Sequence, residues 1–389
     1  VLYGSPDGLT AAGATAINQG TPGVPGASEN GDRWGSSLAA GDVNGDGYRD
    51  LVVGTPDEAI GVKAAAGAIT VLYGSSAGLT SAGSLAVNQG TAGVIGVNEA
   101  DDRWGAALAI GDVDDDGFDD VVVGAPGEDI GNLTDAGAVT VLLGSDQGIS
   151  PVRSMGINQG TPGMPGKVEV DDRWGAAVAV ADFTGDGFDD VAIGVPGEDI
   201  GTRVDVGAVG VVYGSPAGLT TQQARSLHQG TADMVGANEA GDSWGSVLAA
   251  GDTDGDGRAE LIVGVPEEAL GSTLRAGAVT VIAGDVDGLD GQGSLIRHQG
   301  SPSIPGSIEA ADHFGDALAT VDLTGDGRAE LAVATSGESI GSDFDAGSVL
   351  IMFGSSNGVT SSGALALHQD HELVQGDARS IDYWGRLGS

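Results

Sequence analysis

Cysteine is absent from the 389 residues, which excludes disulfide bonds and thiolate metal sites. Basic residues are scarce: 15 Lys and Arg stand against 56 Asp and Glu, a formal net charge of −41. Such a surface repels phosphate backbones and anionic lipids, so we expect no nucleic-acid partner. The sequence also lacks a run of about 18 apolar residues, so we expect no membrane insertion.

Glycine, by contrast, is abundant, with 71 residues, and apolar residues make up 40% of the chain. There is too much Val, Leu, Ile and Ala for a disordered chain, and the every-third-glycine pattern of collagen is missing. We therefore expect a folded domain with many tight turns. Its negative charge would destabilise the compact state, and a bound cation is the simplest way to neutralise part of it.

Three residue series recur with one period of 70 residues. The first is an aromatic residue, followed by Gly and preceded two positions earlier by Asp, at Trp34, Trp104, Trp174, Trp244, Phe314 and Trp384. The second begins an acidic loop, at Asp42, Asp112, Asp182, Asp252 and Asp322. The third is an Asn-Gln-Gly or His-Gln-Gly turn, at Asn18, Asn88, Asn158, His228 and His298, with His-Gln-Asp at His368. Repeated units stack into one body, so we expect a single domain over residues 1–389.

Each unit has the pattern of four short β-strands. Within residues 102–160, DRWGAALAIGDV, VVVGAP and AVTVLLG are predicted strands, and a weaker fourth strand ends before Asn158. Loops rich in Gly, Asp and Pro separate them, and no segment sustains helical periodicity. The sequence therefore predicts an all-β fold, a β-propeller of four-stranded antiparallel blades. A β-helix is the alternative, but its repeats are much shorter.

The ends of the chain bear on the number of blades. Five units are complete, and residues 1–31 and 382–389 match complementary parts of another. We therefore expect these two segments to share a closing blade. Six blades are favoured, and seven are possible if the chain is longer. The predicted complete blades cover residues 32–101, 102–171, 172–241, 242–311 and 312–381.

Five acidic loops join the first and second predicted strands, as in DVDDDGFDD at residues 112–120. Oxygen-bearing side chains stand at positions 1, 3, 5 and 9, and position 7 is expected to offer its backbone carbonyl. Position 6 is always Gly, which permits a sharp turn because it tolerates positive φ. Calcium takes six to eight oxygen ligands, which such alternation supplies. The sequence thus predicts about five Ca²⁺ sites, with the ligands Asp42, Asn44, Asp46, Tyr48, Asp50, Asp112, Asp114, Asp116, Phe118, Asp120, Asp182, Thr184, Asp186, Phe188, Asp190, Asp252, Asp254, Asp256, Arg258, Glu260, Asp322, Thr324, Asp326, Arg328 and Glu330.

Other interpretations of these loops are less favourable. An EF-hand needs a bidentate Glu at position 12, where these loops have Val or Ile. Magnesium prefers few protein ligands and retained water. A solvated Asp/Gly turn explains one such loop more easily than five loops with oxygens at the same positions. We expect the ions to be structural, each joining the first two strands of its blade.

The combined motif resembles the FG-GAP repeats of integrin α-subunits and of similar bacterial secreted proteins. The resemblance rests on aromatic-Gly pairs such as Trp104-Gly105 and Phe314-Gly315, on the acidic loop, and on Gly-Ala-Pro at residues 124–126. It implies a β-propeller with calcium in hairpin loops, an extracellular location, and adhesion or ligand binding. Gly-Ala-Pro is altered in the other repeats, and neither Arg-Gly-Asp nor a membrane span is present, so integrin-style signalling is not implied.

No catalytic site stands apart from the repeat. The esterase pattern G-x-S-x-G occurs at residues 74–78 and 354–358, but other repeats have Pro, Asp or Val at the position of Ser76 and Ser356. His228, His298 and His368 occupy a position that holds Asn elsewhere, so we expect them to be turn residues. The sequence predicts a protein that is not an enzyme.

Binding is the function that remains. Because strands alternate in direction, the 1–2 and 3–4 loops lie on one face, and the longer 2–3 and 4–1 loops on the other. We expect the second face to bind an extracellular protein; the alternative is a cell-surface glycan, bound by a lectin-like propeller that targets a larger secreted enzyme or assembly. Acidic residues recur on this face, in Glu-x-x-Asp before five of the six aromatic residues (all but Trp384) and in GEDIG. They form either a solvated rim or a second cation site.

Overall fold

The computed structural model describes residues 1–5, 8–11, 13–371, 374 and 379–384. These residues form 22 strands, and none of them is helical. No helix capable of spanning a membrane is therefore found in the described part of the chain. The Gly385 member of the aromatic-Gly series and the remaining predicted closing-blade residues up to 389 lie outside the described residues.

The strands form one short sheet and five four-stranded blades. The short sheet consists of β1 (Tyr3–Ser5) and β2 (Gly8–Thr10). Blade 1 consists of β3 (Leu38–Gly41), β4 (Asp50–Thr55), β5 (Ala68–Leu72) and β6 (Leu85–Val87). Blade 2 consists of β7 (Ala107–Gly111), β8 (Asp120–Ala125), β9 (Ala138–Leu143) and β10 (Ser150–Ile157). Blade 3 consists of β11 (Val178–Ala181), β12 (Asp190–Val195), β13 (Ala208–Tyr213) and β14 (Thr220–Leu227). Blade 4 consists of β15 (Val247–Gly251), β16 (Glu260–Val265), β17 (Ala278–Ile282) and β18 (Leu295–Arg297). Blade 5 consists of β19 (Phe314–Val321), β20 (Glu330–Thr335), β21 (Ser348–Phe353) and β22 (Thr360–Leu367).

Each blade is an antiparallel meander in which strands consecutive in sequence are paired. The first strand of each blade also contacts the first strand of the next blade, from β3 through β7, β11 and β15 to β19. First strands are therefore innermost, and fourth strands lie at the outer edge. The predicted β-propeller of four-stranded blades is confirmed.

The core lies between blades rather than within one blade. Strands of neighbouring blades contribute apolar side chains to shared clusters, and the repeated aromatic residue sits in each of them. Trp104, for example, is fully buried among residues of blades 1 and 2, and its Nε1 donates to Thr140 Oγ1 at 3.1 Å. A buried indole N–H needs such an acceptor, and Thr140 supplies it from the third strand. The aromatic residues of blades 2 to 5, at positions 104, 174, 244 and 314, are thus part of the core between blades.

The first strand of blade 2 is shorter than the sequence pattern predicts. It was expected from residue 102, but β7 begins at Ala107. The preceding residues pair instead with blade 1, since Trp104 forms a parallel bridge with Gly67 and its N–H donates to Ala66 O at 3.1 Å. This crossover ties each blade to the one before it.

Glycine in the second strand has a packing reason. A methyl group added at Gly124 would collide with the carbonyl oxygen of Gly175, the glycine that follows the aromatic residue of the next blade. The same collision would occur between Gly194 and Gly245. Neighbouring blades approach backbone to backbone at this point, and only glycine allows it.

The N-terminal sheet repeats one inter-blade contact. Tyr3 Oη accepts the N–H of Leu79 at 3.3 Å and lies over Gly78, as Tyr73 lies over Gly148 and Tyr213 over Gly288. β1 and β2 therefore stand against blade 1 as the outer strands of a preceding blade would. The shared closing blade and the count of six stay predictions.

Candidate metal sites in the hairpin loops and carboxylates on the opposite face

The five acidic hairpins join the first and second strands of the blades, on one face of the propeller. In blade 1, Asp42 Oδ2 accepts the N–H of Gly47 at 2.7 Å, and Asp42 Oδ1 accepts that of Asp46 at 3.0 Å. Asn44 Oδ1 accepts the N–H of Asp46 at 3.0 Å, and Asp46 Oδ1 accepts that of Tyr48 at 2.9 Å. The side-chain oxygens at positions 1, 3 and 5 are thereby held inside the loop by its own amides.

The first contact recurs in every hairpin. The position-1 carboxylate accepts the N–H of the position-6 glycine at 2.8 to 3.0 Å in the other four blades, at Asp112, Asp182, Asp252 and Asp322. That glycine has a positive φ in all five loops, between 85° and 94°. The turn conformation that the glycine was expected to permit is therefore present. At Asp322 the N–H of the position-6 glycine, Gly327, holds the pKa of the carboxyl below its ordinary value.

Carboxylate oxygens converge in two of the hairpins. Ligand atoms of Asp112, Asp114 and Asp116 lie within 4.8 Å of one another, and so do those of Asp252, Asp254 and Glu260. Asp114 is almost fully buried, and its Oδ1 has no hydrogen-bond partner. Three converging carboxylates with a buried, unpartnered oxygen form a donor set suited to a hard divalent cation. The residues present thus fit Ca²⁺ in blade 2, while the full ligand sets and the position-7 carbonyls stay predictions.

The position-9 carboxylate has a structural role that its ligand pattern did not reveal. Asp120 is completely buried; its Oδ2 accepts the N–H of Val113 at 2.9 Å and its Oδ1 that of Gly144 at 2.8 Å. Asp50 and Asp190 make the equivalent pairs of bonds. Each of these carboxylates therefore links its hairpin to the turn after the third strand.

Burial sets the protonation of these carboxyls. Loss of hydration raises the pKa of Asp120 and of Asp190 to about 7 and that of Asp50 to about 6, although the backbone N–H donors oppose the shift. Without a cation, a fraction of each of these three carboxyl groups is protonated near neutral pH. A divalent ion beside such a carboxylate would favour its ionised form.

An arginine neutralises part of the blade 2 hairpin. Arg153, on β10, lies with its guanidinium 3.0 Å from Asp114 Oδ2 and 3.5 Å from Asp116 Oδ2. The corresponding residue of blade 3 is Gln223. Blade 2 thus has an internal positive charge where a cation is predicted, whereas no ion pair to the blade 3 hairpin is found among the described residues.

Successive hairpins are hydrogen-bonded to one another through position 8. Asp119 Oδ2 accepts the N–H of Asp42 at 2.7 Å, and the N–H of Asp119 donates to Asp42 O at 3.1 Å. Asp189 and Asp112 repeat both bonds. Position 8 was not singled out in the sequence, although the Asp-Asp pairs at 119–120 and 189–190 mark it. The hairpins therefore form a connected belt on this face.

The opposite face carries a second repeated arrangement, here called the crossover cluster. It lies where the chain passes from one blade to the next and combines a Gln, a Glu, the Asp before the aromatic residue and a Glu from the 2–3 loop. The members are Gln19, Glu29, Asp32 and Glu58; Gln89, Glu99, Asp102 and Glu128; Gln159, Glu169, Asp172 and Glu198; Gln229, Glu239, Asp242 and Glu268; and Gln299, Glu309, Asp312 and Glu338.

Two hydrogen bonds define the crossover cluster. The Gln Nε2 donates to the Glu of the 2–3 loop, at 2.6 Å for Gln89 and Glu128. The Asp accepts the N–H of the Glu three residues earlier, at 2.5 Å for Asp102 and Glu99. Burial raises the pKa of Asp102 to about 7. The sequence analysis noted each of these series separately; their pairing was missed, although a constant separation of 39 residues between Gln and Glu was available as a signal.

A cavity of about 590 Å³ opens on this same face between blades 2 and 3. Arg103 and Arg173 line it together with Asp101 and Asp135, and Pro126 and Pro196 are among its walls. Both arginines are exposed and immediately precede a buried tryptophan. In a chain with few basic residues, this cavity presents charges of both signs.

The residues considered for catalysis have turn roles. Ser76 and Ser356 lie in the connections between third and fourth strands, where the neighbouring Ser75 and Ser355 bond to glycine carbonyls three residues on. His228 Nδ1 accepts the N–H of Gly230 at 3.0 Å, as Asn88 Oδ1 accepts that of Gly90 at 2.9 Å. The predicted equivalence of His and Asn is confirmed at His228 and at His298, whose Nδ1 accepts the N–H of Gly300 at 3.1 Å, but not at His368, whose Nδ1 accepts no hydrogen bond from a described residue.

Comparisons with known proteins agree with the repeat pattern. The FG-GAP repeat family profile matches residues 34–72, 104–142, 174–213, 244–282 and 314–352, together half of the chain. Integrin alpha pat-2 of Caenorhabditis briggsae is 27% identical over 313 residues, which cover 72% of this chain and 23% of the integrin. Phosphatidylinositol-glycan-specific phospholipase D of Rattus norvegicus is 33% identical over 164 residues, 42% of this chain and 18% of the enzyme. The chain thus spans about a fifth of the length of these relatives.

Solved structures give weaker similarities. A rhamnogalacturonan lyase of Bacillus licheniformis aligns over 76% of this chain and 57% of its own, with 13% identity and a TM-score of 0.35. The rhamnogalacturonan lyase YesW aligns over 83% and 67%, with 12% identity and a TM-score of 0.37. Similarity at this level carries no argument about function.

Proposed function

Because the chain belongs to the FG-GAP repeat family, we propose that it is an extracellular, calcium-stabilised β-propeller that binds a ligand and catalyses no reaction. The observation that carries the calcium assignment is the convergence of carboxylates in the hairpins of blades 2 and 4, at positions where all five blades have oxygen-bearing side chains. The integrin relatives support an extracellular binding role.

The ions have a structural purpose in this proposal. Each one binds the hairpin between the first two strands, and the position-9 carboxylate connects that hairpin to the third strand. Position 8 connects it to the preceding hairpin. A cation in one loop therefore stabilises its own blade and the interface with the neighbouring blade. It also offsets part of a net charge of −41.

The ligand binds on the opposite face, in the cavity between blades 2 and 3. Arg103 and Arg173 favour a carboxylate of the partner, and Asp101 and Asp135 favour basic or hydrogen-bond-donating groups. We propose an extracellular protein with both kinds of group as the partner, at the surface of a cell or in its surroundings.

Two measurements test this proposal. The first is thermal unfolding of calcium-loaded protein against protein freed of metal by chelation and desalting; we expect a lower melting temperature without calcium, and an unchanged value would contradict the calcium role. The second is binding to an array of glycans and to a panel of immobilised extracellular proteins, with wild type and the Arg103→Ala, Arg173→Ala double variant.

The binding measurement also has a matched control. The exposed Arg203→Ala removes the same charge outside the cavity, so it should bind a protein partner as wild type does, while the cavity variant should bind it more weakly. Binding to glycans but to none of the proteins would show that the partner is a carbohydrate. Chemical conversion of a bound ligand would overturn the non-catalytic assignment.

A further inference from the structure

The crossover clusters of blades 2 and 3 each contain two buried oxygen atoms that accept no hydrogen bond. Asp102 is 1% exposed; its Oδ2 accepts the N–H of Glu99, while its Oδ1 has no partner. Asp172 is also 1% exposed, with Oδ2 bound to the N–H of Glu169 and Oδ1 unpartnered. An unsatisfied buried carboxylate oxygen is costly, so such an atom calls for a missing partner.

The second unpartnered oxygen in each cluster belongs to its glutamine. Gln89 is 4% exposed, and its Nε2 donates to Glu128 Oε2 at 2.6 Å. Its Oε1 has no donor. Gln159 repeats this with Glu198 at 2.6 Å and an unpartnered Oε1. The bond from Nε2 to the glutamate fixes the amide, and thus its unpartnered oxygen, within the cluster.

Each cluster holds two carboxylates that interact electrostatically, and the glutamate of the pair also binds the amide. Glu128 acts electrostatically on Asp102, and Asp172 on Glu198. In each cluster the buried aspartate, the glutamate (half-buried at Glu128, buried at Glu198) and the amide oxygen form an oxygen-only donor set with a formal charge of −2. Protonation of one carboxyl would supply a single donor, whereas a hard divalent cation would satisfy several of these oxygens and balance the charge.

We propose that the crossover clusters of blades 2 and 3 form a second set of divalent-cation sites, separate from the hairpins. In blade 2 the side-chain ligands are Gln89, Asp102 and Glu128. In blade 3 they are Gln159, Asp172 and Glu198. The ion at each site joins the segment that leaves one blade to the 2–3 loop of the next, so it closes the blade interface on the face opposite the hairpin belt.

Terbium luminescence separates the two sets of sites. Trp104 and Trp174 each lie two residues from a crossover-cluster aspartate, whereas β7, of five residues, separates the blade 2 tryptophan from its hairpin. That strand spans about 17 Å. Terbium bound in a crossover cluster should therefore be excited efficiently through tryptophan, with light at the red edge of the indole band that tyrosine does not absorb.

The decisive variant combines Glu128→Gln and Glu198→Gln, which keep the side-chain shape and a hydrogen-bond acceptor for the glutamine. We expect it to lose tryptophan-sensitised terbium binding by about tenfold or more in affinity, because each ion loses one of two charged ligands. The control combines Asp112→Asn and Asp182→Asn in the hairpins and should retain this signal. Sensitised binding within twofold of wild type in the glutamate variant would overturn the proposal.

Anomalous diffraction from wild-type crystals grown with terbium needs no variant. We expect peaks beside Asp102 Oδ1 and Asp172 Oδ1. Water or no density at both positions, with terbium in the hairpins, would overturn the second set of sites and leave the hairpin sites standing. Terbium in the crossover clusters but not in the hairpins would overturn the hairpin sites and leave the second set standing. The two proposals can therefore be tested separately.

Discussion

The two faces of the propeller use carboxylates in different ways. In the hairpins, the side-chain oxygens at positions 1, 3 and 5 bond to amides of the same loop, at most five residues away, as between Asp42 and Gly47. In the crossover clusters, the Gln–Glu bond joins segments 39 residues apart. The ligand positions of a hairpin are therefore arranged within one blade, while the crossover clusters, like the position-8 contacts between hairpins, exist only when two blades have docked.

This contrast explains what the sequence could reveal. The hairpin pattern lies within nine residues, so its repetition predicted the loops, their glycine turn and the cation chemistry. The four-stranded blade followed from strand and turn patterns of the same short range. The Gln–Glu pairing and the position-8 contact of Asp119 with Asp42 depend on how blades dock. They could be found only by comparing constant separations between series.

The largest effect is expected where a hairpin carboxylate is buried. Asp120→Asn replaces an acceptor of two backbone N–H groups by an amide whose nitrogen cannot accept. We expect a loss of about 3 kcal/mol in the free energy of unfolding, measured by denaturant titration without calcium. Asp116→Asn, at an exposed position of the same loop, should change it by about 0.5 kcal/mol or less. Equal losses would show that burial of position 9 does not matter.

A smaller loss is expected from the opposite face. Gln229→Met removes the donor to Glu268 at a crossover cluster and leaves that buried carboxylate without its amide partner. The free energy of unfolding should fall by about 2 kcal/mol in the same titration. The exposed Gln222→Met is the control and should have little effect. If the Gln229 variant were as stable as wild type, the bond between Gln229 and Glu268 would make no measurable contribution to stability.

Both faces should respond to pH in the metal-free protein. Burial raises the carboxyl pKa to about 7 at Asp120 and at Asp102, from an ordinary value of 3.8. The folded state therefore holds protons that the unfolded state releases, so stability is highest at low pH and falls as pH rises from about 4 to about 7. Melting temperatures of metal-free protein should be higher at pH 5 than at pH 8. Saturating calcium should reduce the fall, because a bound cation favours ionised carboxylates; a metal-free melting temperature that rises over this range would contradict the assignment.

The smallest effect distinguishes one hairpin from the next. Arg153→Gln gives blade 2 the residue that blade 3 has at the same position and removes the charge beside Asp114 and Asp116. We expect calcium affinity at this loop to rise by about three- to tenfold, measured by calorimetry, because the arginine no longer competes with the ion. Arg203→Gln removes the same charge from the opposite face and should leave the affinity unchanged. A weaker affinity in Arg153→Gln would mean that the arginine organises the site instead of competing for it.

Diffraction from crystals grown in millimolar calcium tests the central claim most directly. The account predicts one ion in each of the five hairpins, with ligands from positions 1, 3, 5 and 9 and from the position-7 carbonyl, at about 2.3 to 2.6 Å. Hairpins that hold only water at that concentration would contradict it.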